Sequence, residues 1–106
     1  MRRLGWLICT VWIGSGTAAA QELPGDPAAG ASLARDVCAT CHVVAQDQPI
    51  DPAVGPSLLE VAEHPATTEL SLRAFLQTPH PTMPNLMLSP EETDDLIAYL
   101  LALKGE

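Results

Sequence analysis

The sequence has little positive charge. Lys and Arg number 5 against 13 Asp and Glu, so the formal net charge is −8. Nucleic acids and anionic membrane surfaces attract basic proteins, and the charge balance therefore argues against both as partners. Aromatic residues are scarce too, at 4 %, and the chain holds no internal repeat and no low-complexity tract. The sequence is therefore that of one small domain with few large side chains for its core.

No apolar run is long enough to span a bilayer. The longest, residues 4–13, has about half of the ~20 residues that a spanning helix needs. It follows Met1-Arg2-Arg3 and precedes the small residues 18–20, which is the pattern of a secretory signal peptide. We expect cleavage after about Ala20, export to the periplasm, and no stable membrane anchor afterwards.

Cys38-Ala39-Thr40-Cys41-His42 spells Cys-x-x-Cys-His, the attachment signature of a c-type haem. The two intervening residues place both thiols on one side of a helical turn, where each sulfur can form a thioether to a haem vinyl group. The histidine that follows can direct its imidazole at the iron as the proximal ligand. The motif predicts one haem c per chain, attached through Cys38 and Cys41.

Three other uses of the cysteines remain open but fit less well. A thioredoxin-like site needs a βαβ pattern, and no β-rich segment precedes Cys38. A structural zinc site needs four ligands, so the motif would have to recruit a distant His64 or His80. A disulfide between Cys38 and Cys41 would leave His42 without a role.

The predicted mature domain, residues 21–106, is small and strongly acidic. Removal of residues 1–20 leaves 86 residues, takes away Cys9 and both tryptophans, and leaves Phe75 and Tyr99 as the only aromatics. A core of that size is modest, so a covalently held haem would be its centrepiece as well as its cofactor. Arg2 and Arg3 leave while all 13 acidic residues stay, which changes the net charge to −10.

Local signals predict an all-α domain of four helices, near residues 26–40, 57–63, 67–78 and 89–103. The first has an N-cap Asp26 followed by Pro27, and the last combines Ser89 with Pro90 and a glutamate at the third helical position. The second helix is expected to begin with a capping box at Ser57. Proline-rich loops separate the helices at 43–56 and 79–84.

In four segments the chain resembles the small class I cytochromes c, which are monohaem electron carriers. These are residues 38–42, Gly55-Pro56-Ser57-Leu58, the Met-Pro segment at 82–86, and residues 95–100 near the C-terminus. The resemblance covers residues 26–104 and implies the class I fold, in which about four helices surround one covalent haem.

The resemblance also implies roles for single residues around the haem. The carbonyl of Pro56 would accept a hydrogen bond from the ring N–H of His42, and such a bond orients the ligand. Leu58, Leu76 and Pro84 would belong to the haem pocket.

Further implications concern helix packing and the haem propionates. The first and last helices would cross with Gly30 against Tyr99. The family often has an aromatic residue where this chain has Ala34, so we expect packing there to be looser or filled from elsewhere. Arg73 is the best cationic candidate for the propionates.

Met83 is the expected sixth ligand of the iron. It lies between Pro81 and Pro84, which hold its backbone extended, and a thioether sulfur ligates iron without losing a proton. His80 is the main competitor, because imidazole is also a good ligand. Met87 is expected to be an apolar plug near the haem.

Together these features predict a periplasmic electron-transfer protein with His/Met ligation and no enzymatic activity. Its partners would be redox proteins, such as a periplasmic dehydrogenase or oxidase. One alternative is the permanently bound haem subunit of a periplasmic dehydrogenase. Another is a five-coordinate haem protein that binds ligands or acts like a peroxidase. Sequence alone leaves open whether the chain is a monomer or a subunit.

The acidity of the mature chain generates a first prediction. Electron transfer with a basic partner should slow as ionic strength rises, because salt screens the attraction that steers the encounter. Stopped-flow rates at low and high salt measure this. Rates that do not change would reduce the acidic surface to a solubility feature.

Overall fold

A computed structural model describes residues 11, 14–16, 22–49, 54–78 and 82–105. It contains four α-helices and one short 3-10 turn: α1 Pro27–Val37, the 3-10 turn Cys38–Thr40, α2 Leu58–Glu63, α3 Glu69–Gln77 and α4 Pro90–Ala102. None of these described residues forms a strand, and the all-α prediction is confirmed. The predicted signal peptide and its cleavage site lie largely outside this part of the chain. No helix within it is long and apolar enough to cross a membrane.

α1 begins where its capping residues predict but ends early. The carboxylate of Asp26 accepts a hydrogen bond from the Ala28 amide at 2.9 Å, and Pro27 is the first helical residue. After Val37 the chain tightens into the 3-10 turn, where the amides of Cys41 and His42 both donate to the Cys38 carbonyl, at 3.1 and 2.9 Å. This tightening replaces the last predicted turn of α-helix with the turn that carries the first cysteine.

α1 and α4 touch backbone to backbone at Gly30. A Cβ built on Gly30 would lie 2.6 Å from the carbonyl carbon of Asp95 and 2.8 Å from Tyr99 Cβ, well inside van der Waals separation. The amide of Asp26 also donates to the Asp95 carboxylate at 2.7 Å. The expected contact of Gly30 with Tyr99 is therefore present, and Gly30 is there because no larger residue fits.

α4 is the common partner of the other helices. In the described part of the chain, α1, α2 and α3 each pack against α4, and none of the three packs against another. Its start is fixed by the predicted capping box, with Ser89 and Glu92 exchanging hydrogen bonds of 2.8 and 3.1 Å. Its buried face and the residue just after it comprise Leu96, Ile97, Leu100 and Leu103, the residues predicted to point inward.

α2 lacks its predicted capping box, whereas α3 begins at its predicted start. The hydroxyl of Ser57 accepts from the Leu59 amide at 3.3 Å, so Ser57 caps α2 without the reciprocal bond expected from Glu60. Thr68 caps α3 and shares a capping box with Ser71, a pairing that was not foreseen because the usual partner is Glu or Gln.

α3 presents little of its apolar surface to the protein core. Leu72 is buried, whereas Leu70, on the same helix, is 75 % exposed. Arg73 adds a polar link between helices, with its guanidinium 2.7 Å from the Asp94 carboxylate on α4. α3 is thus held to the domain by one buried leucine, partly buried neighbours and an ion pair.

The core is built largely from small and branched aliphatic side chains. Ala34 and Ala62 are completely buried, and Val44, Leu96 and Ile97 are nearly so. At Ala34 the packing is filled by neighbouring residues of the core, in line with the second of the two expectations for that position.

Gly30→Ala should destabilise the domain. Alanine normally stabilises a helix by about 1 kcal/mol relative to glycine, but here its methyl would push α1 away from α4, and overpacking costs typically 1–3 kcal/mol. Denaturant unfolding of the haem-loaded protein measures the net effect. Ser32→Ala, on the exposed side of α1, is the control. A Gly30→Ala protein as stable as the wild type would contradict the close contact.

Candidate haem site

A cavity of about 490 Å³ lies between the 3-10 turn, the loops around residues 54–56 and 82–84, and helices α2, α3 and α4. Its size is typical of cofactor sites, and its lining is mostly apolar. All eight predicted site residues line it: Cys38, Cys41, His42, Pro56, Leu58, Leu76, Met83 and Pro84. The remaining lining residues were not predicted as pocket residues: Val54, Gly55, Val61, Thr67, Ser71, Leu72, Phe75, Thr82, Leu96 and Leu100.

The two cysteines reach the cavity from opposite ends of the 3-10 turn, because Cys38 is its first residue and Cys41 follows its last. Both are free thiols in this structure. Cys38 is 8 % exposed, and burial raises the pKa of its thiol, because a thiolate is poorly solvated there. Cys41 is half-buried. The pair therefore offers two thiols at one edge of an apolar space.

The imidazole of His42 is oriented by the loop that follows the motif. Its Nδ1 lies 2.6 Å from the carbonyl oxygen of Pro56. A carbonyl can only accept a hydrogen bond, so Nδ1 carries the proton and Nε2 keeps its lone pair for a metal. This is the contact that the family resemblance implied, and it is the usual way in which proteins orient a metal-binding histidine.

Gly55 supports the same ring from the side. A Cβ at this position would lie 2.7 Å from His42 Nδ1 and 2.8 Å from Nε2, so the imidazole rests directly on the glycine backbone. The amide of Gly55 also donates to the Cys41 carbonyl at 2.8 Å. No role was predicted for Gly55, although its position before Pro56 was the available signal.

Met83 and Met87 occupy different environments. Met83 lines the cavity and is half-buried, whereas Met87 is 94 % exposed and lies outside the lining. The expectation that Met87 plugs the haem site is therefore wrong. Loop geometry after Pro84 turns its side chain to solvent, which the sequence pattern did not reveal. The competing ligand His80 lies outside the described residues.

His64 does not join the cysteines. It is exposed at the end of α2, its Nδ1 accepts a hydrogen bond from the Ala66 amide at 3.1 Å, and it is not part of the cavity. Within the described ranges, no cluster of three or more His, Cys, Asp or Glu residues could hold a metal ion. The zinc alternative thus gains no support from this histidine.

Arg73 forms ion pairs with carboxylates and does not line the cavity. Its guanidinium lies 2.7 Å from Asp94 and 3.1 Å from Glu69, and it is absent from the lining. Hydrogen bonds to Asp94 and then to Glu69 raise the pKa of Arg73 further. The expected propionate role is therefore not supported. The sequence did not reveal this, because the carboxylate partner on α4 could not be identified from it.

The residues present fit a c-type haem. Two thiols, an imidazole with its distal nitrogen free, and a thioether sulfur line one apolar cavity. These are the groups that thioether attachment and His/Met axial ligation require, and the apolar lining provides the water-poor surroundings of a buried porphyrin.

Comparisons with known proteins agree with this chemistry. Residues 25–100 match the family described as cytochrome c oxidase, cbb3-type, subunit III. The chain is also 39 % identical over 97 residues to a protein named cytochrome c-552 from Bradyrhizobium diazoefficiens, and the alignment covers 92 % of each. The chain belongs to the cytochrome c family. It is a small monohaem cytochrome that carries covalently bound haem c and serves haem-based electron transfer.

Within this cytochrome, the protein residues orient and shield the cofactor. The haem, when bound, supplies one-electron chemistry between Fe(III) and Fe(II). The Pro56 carbonyl and the Gly55 backbone fix the imidazole plane, while the aliphatic residues of α2 and α4 exclude water. The chain would thus set the orientation of the His42 imidazole and the local dielectric, two of the protein properties that tune a haem.

Gly55→Ala should displace the imidazole of His42. The added methyl would overlap the ring, and overpacking of this kind costs about 1–3 kcal/mol. We expect a lower fraction of haem-loaded protein, lower thermal stability and a shifted reduction potential. Leu70→Ala, at an exposed position of α3 outside the cavity lining, is the control and should behave like the wild type. An unperturbed potential in Gly55→Ala would contradict the steric contact.

Proposed function

We propose that this cytochrome carries single electrons in the periplasm and is not an enzyme. Its haem c would be attached through Cys38 and Cys41 and ligated by His42 and Met83. One observation carries the proposal. His42 and Met83 come from segments far apart in the chain, yet both line the same apolar cavity as the cysteines.

Met83 is the methionine best suited to be the sixth ligand. Of the two methionines in the mature chain, it alone lines the cavity, and Met87 faces solvent. A soft thioether binds both oxidation states of iron, and methionine ligation raises the potential relative to a second histidine. Six-coordinate iron leaves no open position for substrate, which disfavours the five-coordinate alternatives.

The surface charge supports a soluble redox partner with basic character. Of the three described cations, Arg73 and Arg35 pair with carboxylates, and Lys104 is exposed. The domain therefore presents an excess of negative charge, and electrostatic steering toward a basic dehydrogenase or oxidase follows. The signal-peptide pattern at residues 1–20 supports the periplasm as the compartment.

Met83→Ala should abolish the weak red absorption band of ferric iron bound to methionine and lower the reduction potential. The physical reason is loss of the thioether, which favours Fe(II) relative to stronger donors or water. Optical spectra and a redox titration of the purified holoprotein measure both. Met87→Ala is the matched control, since it removes an exposed thioether from the same loop, and it should leave band and potential unchanged.

A Met83→Ala protein that keeps both the band and the wild-type potential would move the ligand elsewhere, with His80 the next residue to test. A Met87→Ala protein that loses the band would assign the ligand to Met87. Haem that is freely extracted by acid–acetone from the wild type would contradict attachment through Cys38 and Cys41.

A second candidate function is that of a haem subunit in a larger complex. The matched family is described by the subunit of an oxidase, which favours a stable assembly. The relative named cytochrome c-552 has nearly the same length as this chain, which favours a separate small protein. Size-exclusion chromatography of the native periplasmic fraction distinguishes them. A carrier elutes as a small monomer, and a subunit elutes with its complex.

A further inference from the structure

The backbone around His42 accepts hydrogen bonds at four consecutive carbonyl oxygens. Residues 41–44 have four consecutive carbonyl oxygens, each with a different donor: the amide of Gly55, the side-chain amide of Gln48, the amide of Leu58 and the hydroxyl of Tyr99. The donors lie in three separate parts of the chain, so the segment is held by residues 55 and 58, by Gln48 and by Tyr99 of α4. Two of the four donors are side chains from outside the haem motif.

Gln48 makes two hydrogen bonds to this segment. Its Oε1 accepts from the Val44 amide at 2.8 Å, and its Nε2 donates to the His42 carbonyl at 3.1 Å. The side chain is half-buried, where such bonds compete less with water. It thereby fixes the peptide groups on both sides of Val43, immediately after His42.

The imidazole and the main chain of His42 are held by different groups. The ring rests on Gly55 and donates to the Pro56 carbonyl, while the His42 carbonyl depends on Gln48. A shift of this main chain would move the ring along the 55–56 backbone and lengthen the 2.6 Å bond from Nδ1. That bond sets how strongly the imidazole donates to a metal.

We propose that Gln48 is a positioning residue for the axial histidine and that it thereby sets the reduction potential without touching the imidazole. This inference rests on the proposed role of His42 as the iron ligand. When Gln48 is lost, the Nδ1–Pro56 bond weakens and the imidazole becomes a poorer donor. Weaker donation disfavours Fe(III), so the potential rises.

If Gln48 only stabilised the loop, its loss would have a different effect. Loss of a brace lowers the unfolding midpoint of the loop or domain but leaves the orientation of the ligand plane unchanged in the folded protein. Loss of a positioning residue changes the potential and the paramagnetically shifted NMR resonances of the haem methyl groups, which depend on the orientation of the histidine plane.

The test compares Gln48→Ala with Gln77→Ala in holoprotein purified from the periplasm. Gln77 is an exposed glutamine at the end of α3 and makes a matched control. We expect Gln48→Ala to keep the covalent haem and the red band, with a higher potential and a displaced haem-methyl pattern. Gln77→Ala should match the wild type in both measurements.

A second pair, Gln48→Glu and Gln77→Glu, keeps the test decisive if Gln48→Ala loads haem poorly. The new carboxylate can still accept from Val44 but repels the His42 carbonyl, and both variants add the same charge. We expect a displaced haem-methyl pattern only in Gln48→Glu. Wild-type patterns in every haem-loaded Gln48 variant, whatever their stability, would overturn the proposal.

Failure of the proposed function is visible in a different measurement. It appears in the wild-type protein itself, as extractable haem or a missing red band. If instead the role of Gln48 is wrong, the wild type has covalent haem and the red band, but the Gln48 variants keep the wild-type haem-methyl pattern.

Discussion

The architecture depends on α4, because it is the one helix that the other helices in the described part of the chain share as a packing partner. At Gly30 the backbones of α1 and α4 approach closely, and the haem motif begins directly after α1. A fixed crossing between α1 and α4 therefore fixes where the two thiols and the imidazole emerge. α2 and α3 also pack against α4. The cavity lies in the space between these three helices and the 3-10 turn.

That arrangement gives a physical reason to expect that so small a domain depends on its cofactor for stability. Helices that all contact a common partner but not one another leave apolar surface facing a shared space, and burial of that surface requires an apolar occupant. Leu72 and Leu96, on α3 and α4, belong both to the buried core and to the cavity wall. The cofactor and the core are thus continuous, and tuning of the haem cannot be separated from packing of the protein.

Most local determinants could be read from the sequence, and the family resemblance supplied a few distant contacts, such as Gly30 with Tyr99. Distant contacts that neither source covers were missed. The caps at Asp26 and Ser89 act within one helical turn, and the haem motif is contiguous, so each could be read directly. The partner of Arg73 lies 21 positions away on another helix, at Asp94, and no local pattern identifies such an ion pair. The same limit applies to Gln48, whose amide bonds depend on the path of an irregular loop. Side-chain direction in that kind of loop, as at the exposed methionine, follows from tertiary geometry and not from spacing.

The hydroxyl of Tyr99 donates to the carbonyl of Val44, two residues after His42. The chain has one tyrosine, and both of its tryptophans lie in the segment predicted to be removed. If that segment is removed as predicted, Tyr99 is the principal ultraviolet fluorophore of the protein, and it lies at the junction between α4 and the segment that carries the haem motif. Energy transfer to a nearby porphyrin quenches such emission, and separation of the two restores it. The intensity of tyrosine fluorescence can therefore report, without an added label, whether α4 stays in contact with the segment that carries the haem motif.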